Sequence, residues 1–91
     1  MLHKYWFKFQ MSIKDPHPIG TLLGCGVTAS DYEDALKLLR ERVFSGTRLP
    51  TVDRVIEDVN LSYLDPNHVL LNMGNPESRG IWFPLGYDDQ F

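Results

Sequence analysis

The stretch from Asp31 to about Phe44 constrains this chain most, because it reads as an amphipathic helix with both ends marked. Ser30 is placed as its N-cap, and Glu33, three residues on, can reach back to the cap amide in a capping box. Tyr32, Ala35, Leu36, Leu39 and Val43 recur at three- and four-residue spacing and form one apolar stripe. Asp34, Lys37 and Glu41 lie outside it. Acidic residues fill the first turn and Arg40 and Arg42 the last, which suits the helix dipole. Gly46 offers a left-handed C-terminal cap, and Pro50 prevents continuation. Such a stripe has to pack on something apolar, and the flanking sequence supplies a sheet.

Residues Tyr5–Ile13 alternate with period 2. Tyr5, Phe7, Phe9, Met11 and Ile13 fall on one face, with Lys4, Lys8, Gln10 and Ser12 on the other. Trp6 stands on the polar face, so another element must cover it or it is left for a partner. Lys14–Gly20 contains Pro16 and Pro18 and reads as a turn. A second strand, Thr21–Val27, carries Gly24 and Gly26, which mark a bulge or a close backbone approach, and pairs with the first as a hairpin. The chain resumes strand character at Val52, with a bend expected near Glu57, and alternates again over Val59–Tyr63. Asp65-Pro66-Asn67 signals a turn. The run Val69–Met73 reads as either an edge strand or an extended loop. Ile81–Phe83 is a last short strand ended by Pro84, and the tail Asp88–Phe91 reads as mobile. The expected architecture is α+β, one domain over residues 1–91: a β-hairpin, one helix, then two or three strands of an antiparallel sheet, with the helix on one face.

Ninety-one residues can sustain only one hydrophobic core. Cys25 is the single cysteine, so no disulfide closes within the chain, and a reducing, cytoplasmic setting is the default expectation. The N-terminus lacks the apolar run of a signal peptide, and no stretch is long enough to span a membrane. The formal net charge of -3 is unevenly spread. Residues 1–50 hold seven Lys/Arg against five Asp/Glu, whereas residues 51–91 hold two against seven. That acidic half disfavours nucleic acid and favours a basic protein partner; the plainer reading is a solvated carboxylate surface.

Signals for catalysis are sparse. Cys25 lies just before the helix, where the dipole would favour a thiolate, but Asp31, Glu33 and Asp34 oppose this. They equally oppose a phosphate at Gly24-Cys25-Gly26. His3, His17 and His68 have no metal-ligand spacing, and Asp65 with His68 makes only two ligands. Carboxylates at Asp53, Glu57, Asp58, Asp88 and Asp89 keep acid–base chemistry open only if one enters a dry pocket. No cofactor, metal or catalytic residue is expected. The aromatics Trp6, Trp82, Phe83 and Tyr87 concentrate in the two end segments. Each packs in the core or anchors a partner, and Trp6 is the best candidate for exposure.

Val55–Val59, Leu64–Val69, Asn72–Gly74 and Arg79–Gly86, together with Thr28–Leu39, resemble a class of small bacterial proteins. Some members are immunity proteins of polymorphic or contact-dependent toxin systems. The resemblance covers about two-thirds of the chain. It implies a non-enzymatic cytoplasmic protein that blocks one toxin, commonly a basic nuclease, by tight protein–protein binding. On this reading Glu57, Asp58, Asp88 and Asp89 engage the toxin, with Trp6 and Trp82 as anchors. The alternative is a small regulatory or structural subunit that forms a homodimer through an exposed edge strand. A small hydrolase using Cys25 or a carboxylate pair is the third.

Overall fold

In the computed structural model, residues 1–11, 21, 23–45 and 48–85 are described. Four strands form one antiparallel sheet: β1 (His3–Phe9), β2 (Cys25–Ala29), β3 (Val52–Glu57) and β4 (Gly80–Phe83), in the spatial order β3-β1-β2-β4. The α+β architecture is as expected, and β1 and β2 pair antiparallel with Tyr5 opposite Val27. The expected turn Lys14–Gly20, the Gly46 cap and the tail with Tyr87, Asp88 and Asp89 lie outside the described residues.

The helix runs as α1 (Tyr32–Leu38) and continues into a wider π-type turn, Leu39–Val43. Its N-cap is Asp31 rather than Ser30: the Asp31 carboxylate accepts from the Asp34 N–H at 2.8 Å. Asp34, not Glu33, reaches back, its Oδ2 accepting from the Ser30 N–H at 3.0 Å. Aspartate at both positions does the work of the capping box one residue later, because either side-chain oxygen satisfies the orphan amides of a first turn. In the π-type turn the Phe44 N–H donates to the Leu39 carbonyl at 2.9 Å. The wider turn brings Phe44 to the core beside Val43; Leu38 and Phe44 join Ala35, Leu36, Leu39 and Val43 there, whereas Tyr32 of the expected stripe is exposed.

The helix packs on one sheet face. Tyr5, Phe7 and Phe9 of β1, Cys25, Val27 and Ala29 of β2 and Ile81 of β4 form one core with Ala35, Leu36, Leu38, Leu39, Val43 and Phe44. The opposite face is also covered. Trp6, Val59, Leu64, Val69, Trp82 and Phe83 form a second cluster beneath the irregular segment 58–79. Trp6 therefore stands on the face opposite Tyr5 and Phe7, as the alternation requires, and another element covers it.

The expected strand Val59–Tyr63 is absent. The chain leaves the sheet at Asp58, whose φ is +55°, and the Val59 N–H donates to the Lys4 carbonyl at 3.0 Å. The Asn60 Oδ1 then accepts from the Ser62 N–H and Oγ at 3.1 and 2.8 Å and caps a short 3-10 turn, Leu61–Tyr63. An asparagine side chain that bonds the backbone locally competes with a sheet ladder, and here it overrides the two-residue alternation. The run Val69–Met73 contains a second 3-10 turn, Leu70–Asn72. The Asp65–Asn67 turn forms as expected, with Asp65 Oδ1 accepting from the Asn67 N–H at 2.8 Å. Among the described residues no helix is long and apolar enough to cross a membrane.

Candidate functional site: the acidic end of the sheet

β3 is an outer strand, and the end of it nearest the helix N-terminus brings Glu57 and Asp58 near Asp31 and Asp34. Glu57 closes β3 and Asp58 occupies the turn, with side chains 59% and 62% exposed. His3, at the start of β1, joins them: its Nδ1 lies 2.9 Å from Asp58 Oδ1 and 3.7 Å from Glu57 Oε2. Burial raises the Tyr5 phenol above its ordinary value, and the charges of Glu57, Asp31, Asp58 and Asp34 raise it further. Four carboxylates from the helix cap and the β3 terminus thus act on one hydroxyl, so the negative field belongs to this end of the fold and not simply to the C-terminal half of the chain.

Two acids are neutralised locally. Arg79 forks onto Asp34, Nε to Oδ2 at 2.8 Å and Nη2 to Oδ1, tying the segment before β4 to the helix start. This bond and the Ser30 donors hold the Asp34 carboxyl well below the usual carboxylate range, and Asp34 in turn raises Arg79. Lys4 Nζ sits 3.3 Å from Glu77 Oε2. Glu57 and Asp58 have no Lys or Arg partner among the described residues.

Beside this end, on the face away from the helix, lies a half-open groove of about 520 Å³. Trp6 and Leu64 line its apolar part, Ile56 and Tyr63 its rim, Asp58 one end, and Lys8 and Arg54 the other. Tyr63 is 85% exposed, the most accessible aromatic among the described residues.

The six residues expected to meet a partner fare differently. Glu57 and Asp58 are exposed and adjacent; Asp88 and Asp89 lie outside the described residues. Trp82 is 1% exposed and Trp6 7%, so neither stands free as an anchor. Trp82 is held between Gly26 and Trp6, and Trp6 lines the groove. Both are bulky rings on a sheet face that segment 58–79 covers, which makes them core. Sequence reasoning missed His3, Tyr63 and Ile56. The alternation over Val59–Tyr63 reads Tyr63 as a strand residue and Asn60 breaks it, and His3 meets Asp58 across 55 residues of sequence, a pairing only the register of β1 with β3 reveals.

The other chemistry-bearing groups are placed as follows. Cys25 is fully buried and its thiol is pushed up to about 12 by burial, which disfavours the thiolate. Asp65 and His68 do converge, at 3.0 Å, but on one exposed turn whose amides also bond Asp65 and hold its carboxyl below the ordinary value. His3, Glu57 and Asp58 offer ligand atoms within 4.8 Å of one another, with His3 half-buried and both carboxylates exposed. No family model, curated protein or solved structure matches the chain.

Proposed function

We propose that the chain is a non-enzymatic binding protein, an immunity protein that neutralises a basic toxin of the nuclease type in the cytoplasm by occupying it with its acidic end. The observation that carries this reading is the exposed pair Glu57 and Asp58, free of Lys and Arg partners among the described residues and flanked by Asp31 around Tyr5. Charge of one sign at a rim steers association, and adjacent exposed apolar groups supply binding energy. Tyr63 and Ile56 replace Trp6 and Trp82 as the side chains that meet the partner. The resemblance noted in the sequence fits the same reading.

The test is the charge-reversed double variant Glu57→Lys/Asp58→Lys against the cognate toxin domain. Association slows by at least tenfold at low salt, and its dependence on ionic strength flattens. Unchanged association kinetics would remove this end of the molecule from the interface.

A further inference from the structure

The direction of backbone hydrogen bonding at β3 carries the interface a step further. The Gln10 N–H donates to the Thr51 carbonyl and the Val59 N–H to the Lys4 carbonyl, both across the β1–β3 pair. Even-numbered residues of β1 therefore turn their backbone toward β3. Antiparallel pairs alternate between bonded and non-bonded positions. With Trp6 opposite Ile56 and Lys8 opposite Arg54, the bonded positions of β3 are Ile56 and Arg54. Val55 and Glu57 consequently aim their N–H and C=O groups outward, at an edge that no strand pairs with among the described residues. The other edge of the sheet differs: the Gly74 N–H already donates to the Trp82 carbonyl at 2.7 Å, and all four residues of β4 are buried.

We propose that the partner docks as a fifth strand, an extended segment that pairs antiparallel with β3 and sets basic side chains against Glu57 and Asp58. This inference rests on the protein-binding reading above and names how that same site is occupied. Cross-strand neighbours share a face. The helix-side face offers Val55 and Glu57, and the groove-side face offers Arg54, Ile56 and Asp58. The complementary strand thus carries two basic residues opposite Asp58 and Glu57, two apolar residues opposite Ile56 and Val55, and an acidic one opposite Arg54. Val55 and Ile56 are each 36% exposed and would be covered.

A second copy of the chain fits this edge less well. A two-fold axis normal to the sheet has to keep like faces together, so it passes through a residue position, and the central ones are Arg54, Val55 and Ile56. Centred on Arg54 it opposes two guanidinium groups; on Val55 it opposes Asp53 to Glu57; on Ile56 it pairs Arg54 with Asp58 but lays Val55 against Glu57, which leaves Glu57 without a basic neighbour. A basic strand meets none of these conflicts.

The probe is a capped hexapeptide, Lys-Lys-Val-Val-Glu-Lys, added to the full isotope-labelled chain, with the same peptide N-methylated at every amide as control. Exchange of the Val55 and Glu57 amides slows at least tenfold with the first peptide and not with the second. Val55→Pro, which removes an outward donor without touching the β1 ladder, abolishes the protection. Equal binding of the two peptides, or binding without protection, would overturn strand addition. So would concentration-dependent dimerisation of the free chain that Val55→Pro abolishes, which gives the edge to a second copy. If a toxin is bound by the chain, lost on Glu57→Lys/Asp58→Lys and retained by Val55→Pro, the protein-binding function stands and strand addition falls.

Discussion

Gly26 has no room for a side chain. A Cβ built there would sit inside the van der Waals envelope of the Trp82 ring, and the ring is itself wedged against Trp6, 6.0 Å between centroids. Gly26→Ala forces the ring or the strand to move, and overpacking of this kind costs about 1–3 kcal/mol. Chemical denaturation of the variant measures it, and an unchanged midpoint would mean that Trp82 can rotate away. The close approach was legible in the sequence as a glycine inside a strand; its cause, a tryptophan 56 positions later, was not. Asp34 shows a second residue-scale effect. Its carboxyl is held below the ordinary range in the fold by Arg79 and Ser30, whereas an unfolded aspartate titrates near 3.9. The contribution is therefore complete above about pH 5 and is lost as the pH falls through the folded value. Stability declines between about pH 5 and pH 2, and in Asp34→Asn that decline is shallower. Arg79→Ala leaves Asp34 half-buried without its fork and lowers stability by about 1 kcal/mol at neutral pH.

At the scale of elements, the helix was the most legible part of the molecule because its signals are local. Its start is off by one residue, since Ser30, Asp31 and Asp34 are all competent to cap and only the geometry chooses among them. Asp31→Ala removes the cap and costs about 1 kcal/mol in thermal or denaturant unfolding, whereas Ser30→Ala costs less. The first strand was legible too, and so was the bend at the end of β3. The segment after it was not, because Val59, Leu61 and Tyr63 carry the pattern of a strand while Asn60 spends its side chain on the Ser62 amide and hydroxyl. The bulge in β4 was equally hidden. Phe83 opposes Gly26 and Ile81 opposes Val27, which leaves Trp82 without a partner position and allows two consecutive aromatics to join the same core.

On the scale of the whole molecule, a single four-stranded sheet carries two apolar layers, a helix on one face and an irregular segment on the other. That second layer decides the fate of the tryptophans. Trp82→Ala empties a fully buried site and costs about 3–5 kcal/mol, a structural loss in place of the lost contact expected of an interface anchor. Charge asymmetry between the halves of the sequence pointed to an acidic surface, yet the fold draws part of it from the first half, through Asp31. The candidate site was therefore half legible: Glu57 and Asp58 from charge alone, but not His3, Ile56 or Tyr63, whose placement depends on strand register and on one asparagine.

The most direct measurement is the composition and mass of the complex that a tagged full-length chain brings out of the cells that make it, alongside the same experiment with Glu57→Lys/Asp58→Lys. A stoichiometric basic toxin domain with the original chain and its absence with the variant is the predicted result. Recovery of the chain alone from both, or an equal yield of the same domain with both, would contradict an acidic end built to bind a basic protein.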